Sequence, residues 1–161
     1  METRGSGDMG YGDVQQGSSI RIRWWCIEVR RRFTAPAREL WDLLTDTQKW
    51  PLWGPSVAAV ESSDRYIKLH STGKVLTLLG WWAPFTITEF EEGRYWSWQV
   101  HGVRATGHRL IREGSDQCTV IFEVPPAAAP YVLVCTLAMD RIAKLLAGNP
   151  SRPSPTSGLA E

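Results

Sequence analysis

What is scarce in this chain narrows its chemistry before any residue is read closely. Cysteine occurs three times, at Cys26, Cys118 and Cys135, far apart and without a CxxC pair. That spacing calls for neither a metal site nor a disulfide framework, so buried thiols are expected. Charge of one sign is lacking as well: 18 Lys and Arg against 17 Asp and Glu leave a formal net charge of +1. Phosphate binding draws on a clustered positive field, so nucleic acid is not an expected partner. The one basic run, Arg30, Arg31 and Arg32, reads as a solvated strand end. Long apolar runs are missing too. The stretch AAAPYVLVCTLAM ends after 13 residues at Asp140 and Arg141, short of the roughly 20 that a transmembrane helix needs, and so reads as a buried helix. The opening METRGSGDMGYGDV has no apolar h-region, so a cytoplasmic protein is expected. Hydrolase, protease and nucleotide readings are weakened by the lack of GxSxG, HExxH, P-loop or paired carboxylates. A formal GxGxxG at Gly5, Gly7 and Gly10 has no strand before it and no helix after it, and is discarded.

Tryptophan, by contrast, is abundant. The chain has nine in 161 residues, several times the usual share, and 43% hydrophobic residues, which suits one globular domain. Three of the nine fall in WDLLTDTQKWPLWGPS, residues 41–56, with prolines on either side of the last. In one reading Trp41 packs a helix under a sheet while Trp50 and Trp53 close the end of the core. In the other, Trp53 forms part of a pocket mouth.

Hydrophobic periodicity sets out the rest. Residues 1–18 and 148–161, rich in Gly, Ser, Asp and Pro, are expected to be disordered tails around a domain over 19–147. Residues 20–33 alternate as a long strand with Trp25, Ile27, Val29 and Phe33 on one face. A helix follows, with Pro36 in its first turn, Thr34 or Ala35 as cap, and Leu40, Trp41 and Leu44 as its apolar face; Pro51 and Pro55 bound a second short helical turn. Six strands then come in short succession: VAAVES, KVLTLL, FTITEF, RYWSWQV, ATGHRLI and CTVIFEV, divided by SSD, GWWAP, EEG, HGVR and EGSD. A helix from Pro130 to about Leu146 closes the pattern, with Val132, Cys135, Met139, Ile142 and Leu146 on one stripe. Short turns imply a curved antiparallel meander, and its concave face is the one large surface on which an apolar last helix can be buried.

The segments FTAPARELWDLLTD, WPLWGP, TEFEEGRYWSW and GHRL resemble the polyketide cyclase/dehydrase branch of the START-like (SRPBCC) superfamily, over about residues 22–147. The resemblance implies an α+β helix-grip fold: a seven-stranded antiparallel sheet around a long C-terminal helix, two short helices after the first strand, and a hydrophobic cavity between sheet and helix. It also places the Trp53 turn near the cavity entrance. Members of the superfamily include cyclases, aromatases, hydroxylase components, lipid carriers and co-chaperones, so fold does not settle function.

The best polar cluster lies in YWSWQVHGVRATGHRLI. A three-residue loop at Gly102, Val103 and Arg104 would set Trp98 opposite His108 and Trp96 opposite Leu110, with Trp96, Trp98, Val100, Thr106, His108 and Leu110 on one face. A two- or four-residue loop would slip the register and turn Arg109 inward instead. His108 is the candidate proton donor or acceptor toward a guest, with a core histidine as the plain alternative. His70 and His101 are expected in solvent, and Glu89 at a strand surface. The expected guest wall comprises Trp53, Trp82 and Phe85, then Trp96, Trp98 and Phe122, and from the last helix Tyr131, Cys135 and Met139. No cofactor is called for. The sequence therefore favours a protein that binds an aromatic, polyketide-like or lipid-like molecule internally. One alternative is a polyketide cyclase or aromatase acting by orientation and one proton-moving group, His108 or Tyr131; another is a regulatory protein-interaction module.

Overall fold

The computed structural model describes residues 17–148. The expected tails therefore lie outside the described residues, but for Gly17, Ser18 and Gly148. Eight strands form one antiparallel sheet: β1 (Ser19–Ile22), β2 (Ile27–Phe33), β3 (Val57–Ser62), β4 (Thr72–Thr77), β5 (Trp82–Glu91), β6 (Tyr95–Val100), β7 (Val103–Arg112) and β8 (Cys118–Val124). Their spatial order is β1-β2-β8-β7-β6-β5-β4-β3. Two helices, α1 (Ala37–Thr45) and α2 (Trp50–Trp53), link β2 to β3, and the long α3 (Val132–Ala147) comes last. This is the expected helix-grip arrangement with one strand more.

The extra strand comes from a break in what reads as one strand over 20–33. Arg23 N donates to Cys26 O at 2.8 Å, and the chain folds back so that Ile22 pairs with Ile27. Two consecutive indoles, Trp24 and Trp25, cannot both face the core of an alternating strand, and the turn lets both project outward. Trp25 accordingly leaves the inner face it was expected to share with Ile27, Val29 and Phe33, and is 51% exposed.

Packing on the concave face follows the alternation. Val29 and Phe33 of β2, Phe85 and Ile87 of β5, and Val120, Phe122 and Val124 of β8 are buried against Cys135, Ala138, Met139, Ile142 and Leu146 of α3. The basic run is not solvated as a whole. Arg31 points inward, is buried, and meets Asp140 of α3 at 2.5 Å, while Arg30 pairs with Glu28 and Arg32 with Glu113. Strand alternation put every second residue of the run inside, and a charge placed there needed a partner on the helix.

Helix α1 starts one residue later than expected, with Pro36 as its own cap and no side-chain cap hydrogen bond. At its far end the last carbonyls lack helical partners. Trp50 Nε1 donates to Leu44 O at 3.0 Å and Trp53 Nε1 to Leu43 O at 2.9 Å. The proline-framed tryptophans thus fasten α2 to the end of α1 while their rings turn to the core. Strand β5 begins at Trp82, earlier than FTITEF indicates, because only Gly80 (φ 89°) and its neighbours make the turn.

Candidate functional site

The β6–β7 hairpin decides what faces the cavity. Its loop has two residues, His101 (φ 52°) and Gly102 (φ 73°), with Val100 paired to Val103. Both angles lie in the left-handed region that a tight primed hairpin turn requires. On its own such a loop would turn Arg109 inward. A bulge prevents this: Gln99 pairs with Arg104 but Ser97 with Gly107, so Ala105 and Thr106 together stand opposite Trp98. The extra residue restores parity. His108 is buried and faces inward, opposite Trp96 rather than Trp98. Arg109 faces outward and bonds Glu123 at 2.9 Å.

The imidazole of His108 lies flat on Trp96, with ring centroids 3.7 Å apart at 14°. Phe122 stands edge-on at 4.9 Å, Trp53 at 6.1 Å and Trp98 at 6.4 Å. Trp98 Nε1 donates to Thr106 Oγ1 at 3.1 Å, and Thr106 Oγ1 lies 3.3 Å from His108 Nε2. Donation to His108 Nε2 gives the Thr106 hydroxyl proton an acceptor, and in that arrangement the proton of the neutral imidazole is on Nδ1. Burial pushes the His108 pKa down to about 3, offset only in small part by the Trp96 backbone, so the ring is neutral at physiological pH. Two buried polar side-chain atoms of this cluster, Trp96 Nε1 and His108 Nδ1, make no hydrogen bond of good geometry, although the Trp96 backbone lies near enough to the imidazole to favour its charged form. The indole N–H is a donor in every state, Nδ1 is one in the tautomer in which Thr106 donates to Nε2, and the two rings are stacked.

A small cavity of ≈ 30 Å³ adjoins them, room for a water or two. Trp50, Trp53, Trp96, Trp98, Thr106, His108 and Phe122 form its inner wall, and Gly54, Pro55, Ser56, Val57, Tyr131, Val134, Cys135 and Ala138 its α2–β3 and α3 sides. Across these sides the hydroxyls of Ser56 and Tyr131 meet at 2.5 Å. Burial raises the Tyr131 pKa, the Ser56 contact working the other way. Burial likewise pushes the Cys135 thiol up to about 12, and Cys118 up to about 11, so these sulfurs stay protonated and unreactive. All three cysteines are buried and free.

Of the side chains expected to form a guest wall, the structure brings Trp53, Trp96, Trp98, His108, Phe122, Tyr131 and Cys135 around this cavity. Three lie elsewhere. Trp82 projects from the outer face under the Lys74 ammonium, 4.9 Å away; Phe85 is packed behind Trp50 and Trp98; Met139 is fully buried on the α3 stripe. Glu89 is on the outer face, where the Ser97 hydroxyl holds its carboxyl below the usual range. His70 and His101 are exposed. Sequence reading missed Trp50 as a wall, Thr106 as the link between indole and imidazole, and Ser56 opposite Tyr131. The Thr106 role was within reach, since it shares the inward face of β7. A second, larger hollow of ≈ 740 Å³ lies at the other end of the sheet beside α1, but it is open and edged by Arg38, Glu39, Asp42 and Glu92. No group of three or more His, Cys, Asp or Glu among the described residues is arranged to hold a metal ion.

The family described as polyketide cyclase / dehydrase and lipid transport matches residues 25–148. The chain belongs to this family. Its description implies the handling of hydrophobic small molecules. A comparison with curated protein sequences finds no match. Among solved structures, a conserved protein of unknown function from Enterococcus faecalis superposes with a TM-score of 0.60 at 14% identity, over 87% of this chain and 81% of that one. A protein from Arthrobacter aurescens gives 0.60 at 12% over 89% and 98%, and XoxI from Bacillus cereus 0.60 at 9% over 75% and 94%. At such identities the family's fold is what they share with this chain.

Proposed function

We propose that the protein binds a hydrophobic small molecule, aromatic or acyl, that carries a hydrogen-bond acceptor such as a carbonyl oxygen. The observation that carries this reading is the unpartnered Trp96 N–H, stacked on the His108 imidazole beside an otherwise apolar aromatic cavity, with His108 Nδ1 as a second polar atom there. A buried donor without a partner costs about 1–3 kcal/mol, and a guest acceptor, or a water in its absence, recovers that. Ligand pockets hold roughly 300–1,000 Å³, so a guest enters only as the rings and the Ser56–Tyr131 contact give way. The description of the family favours such cargo. A His108 held near 3 is a poor general base at pH 7, which ranks binding above a cyclase or aromatase that relies on it.

Tryptophan quenching with paired guests tests the proposal, one member of each pair bearing a carbonyl and the other its hydrocarbon equivalent. His108→Phe keeps most of the ring volume and removes one donor. It should weaken the carbonyl guest by about 0.5–1.5 kcal/mol and leave the hydrocarbon guest unchanged. Equal effects on both guests, or no quenching by either, would sink the reading.

A further inference from the structure

The nine tryptophans divide by location. Trp41, Trp50, Trp53, Trp96 and Trp98 are buried, whereas Trp24 is 88% exposed, Trp25 51%, Trp81 53% and Trp82 38%. The four exposed ones sit at two hairpin tips, β1–β2 and β4–β5. Beside them Ile22, Leu78, Leu79 and, at the β6–β7 tip, Val103 are also exposed. Strand pairing puts these tips at one end of the sheet: Ile22 pairs with Ile27 and Ile27 with Val124, Val100 with Phe85, and Leu76 with Trp82. His101 N, in the β6–β7 loop, donates to Pro84 O at 2.9 Å. The side of the cavity bounded by Ser56 and Tyr131 is at this same end, because Val57 pairs with Thr77 beside the β4–β5 tip and Tyr131 follows the end of β8.

Charge is just as uneven. The segments that build this end, residues 20–26, 52–58, 76–84, 99–105 and 124–134, contain no Asp or Glu at all; all 17 acids of the chain lie in other segments. Three arginines, Arg21, Arg23 and Arg104, are exposed among the indoles; Arg23 bridges to Glu28 at 3.3 Å and Arg104 to Glu89 at 3.6 Å, while Arg21 stands opposite Glu28 in the β1–β2 ladder. The other end carries Asp42, Glu91, Glu92, Glu113 and Asp116, of which Asp42, Glu91 and Glu113 are paired with Lys49, Arg94 and Arg32.

We propose that this end is a docking surface for an anionic lipid bilayer, with the indole-bearing tips inserted at the headgroup level and the arginines against lipid phosphates. Exposed indoles on tips whose own segments hold no acid match the interfacial zone of a bilayer, where an amphipathic ring is stable, and the arginines beside them meet its negative surface potential. Separate convex tips fit between lipids, whereas a protein partner buries a continuous, shape-matched patch. The docked orientation would turn the Ser56–Tyr131 side of the cavity to the membrane. Among the described residues no helix is long and apolar enough to cross a bilayer, so docking would be peripheral. The inference stands on the surface alone and does not depend on what the cavity holds.

Co-sedimentation of the full chain with vesicles tests it, using phosphatidylcholine alone and phosphatidylcholine containing phosphatidylglycerol. Binding is expected to the anionic vesicles, to weaken with salt, and to be accompanied by quenching from brominated acyl chains. Trp24→Ala with Trp81→Ala should lower partitioning about tenfold or more, since each exposed ring contributes its inserted area. Arg21→Gln should cost about fivefold on anionic vesicles and nothing on neutral ones. Both sites are exposed, so thermal melting should be unchanged; Leu78→Ser with Leu79→Ser, expected to act in the same direction, provides a second variant at one of these tips. No partitioning to anionic vesicles, or partitioning that the paired tryptophan variant leaves intact, would overturn the proposal. So would a concentration-dependent dimer, lost in that variant, without vesicle binding, which would assign the tips to a second copy of the chain.

Discussion

At the scale of single residues, His108 concentrates the cost and the specificity of the cavity. It is surrounded by the rings of Trp53, Trp96, Trp98 and Phe122, and its pKa falls from 6.5 to about 3. Between those values the unfolded chain binds a proton that the folded one refuses. The contribution of this residue to stability is therefore fully present above pH 6.5 and is lost as pH falls toward 3, by at most about 1.4 kcal/mol per pH unit. Urea midpoints measured from pH 7 to about pH 4.5 should decline for the wild type and stay flatter for His108→Phe. That range is the diagnostic one, because Asp46 and Glu89, whose carboxyls are held below their ordinary values, act at lower pH. Parallel slopes for both proteins would show that the imidazole is not shielded as described. Trp96 and Trp50, though stacked at 5.4 Å, differ in kind: the Trp50 N–H is spent on a helix carbonyl, while that of Trp96 remains available.

At the scale of elements, the cavity depends on joints. Helix α2 is held to α1 by two indole hydrogen bonds, while its far side meets α3 through the Ser56–Tyr131 pair. The polar part of the second joint is a single hydrogen bond between two neutral hydroxyls, of Ser56 just past α2 and Tyr131 just before α3. Tyr131→Phe removes it and should lower stability by only about 0.5–1.5 kcal/mol. Association of an apolar guest, followed by stopped-flow quenching, should become faster. An unchanged rate would place the opening elsewhere along α3. The β7 bulge is the other decisive joint. Without it the two-residue loop would put Arg109 and its charge inside, at a cost of several kcal/mol, so the bulge and the tight loop have to occur together.

At the scale of the whole molecule, the sheet and α3 form one core, and α3 is fixed to it by both apolar and ionic contacts. Met139 is fully buried between them. Met139→Asp would place an unpaired carboxylate there, costing about 3–5 kcal/mol or more, a large part of the stability of a domain this size. The expected result is loss of the cooperative thermal transition, and a soluble variant melting near the wild type would contradict the helix-grip packing. The two ends of the molecule also differ: the indole-bearing tips have no acid in their own segments, whereas at the opposite end Asp42, Glu91 and Glu113 are balanced by Lys49, Arg94 and Arg32.

The sequence alone carried the fold, because each element has its own periodic signature: period two in six strands, a helical stripe through Cys135, Met139 and Ile142, and prolines framing Trp50 and Trp53. It also carried the aromatic character of the cavity, since alternation sends Trp96, Trp98, His108 and Phe122 to the same face. It did not carry whatever depends on how neighbouring strands meet. The β1–β2 hairpin and the pairing of Trp96 with His108 turn on a tight turn and a bulge that periodicity does not mark, and the inward Arg31 matched to Asp140 arises from contact between segments distant in sequence. So do the placing of Phe85 and Met139 behind the cavity rather than along it, and the exposure of Trp82. Periodicity fixes which face a side chain takes. Only the assembled sheet and helix decide which neighbour it meets there, and whether any space is left for a guest.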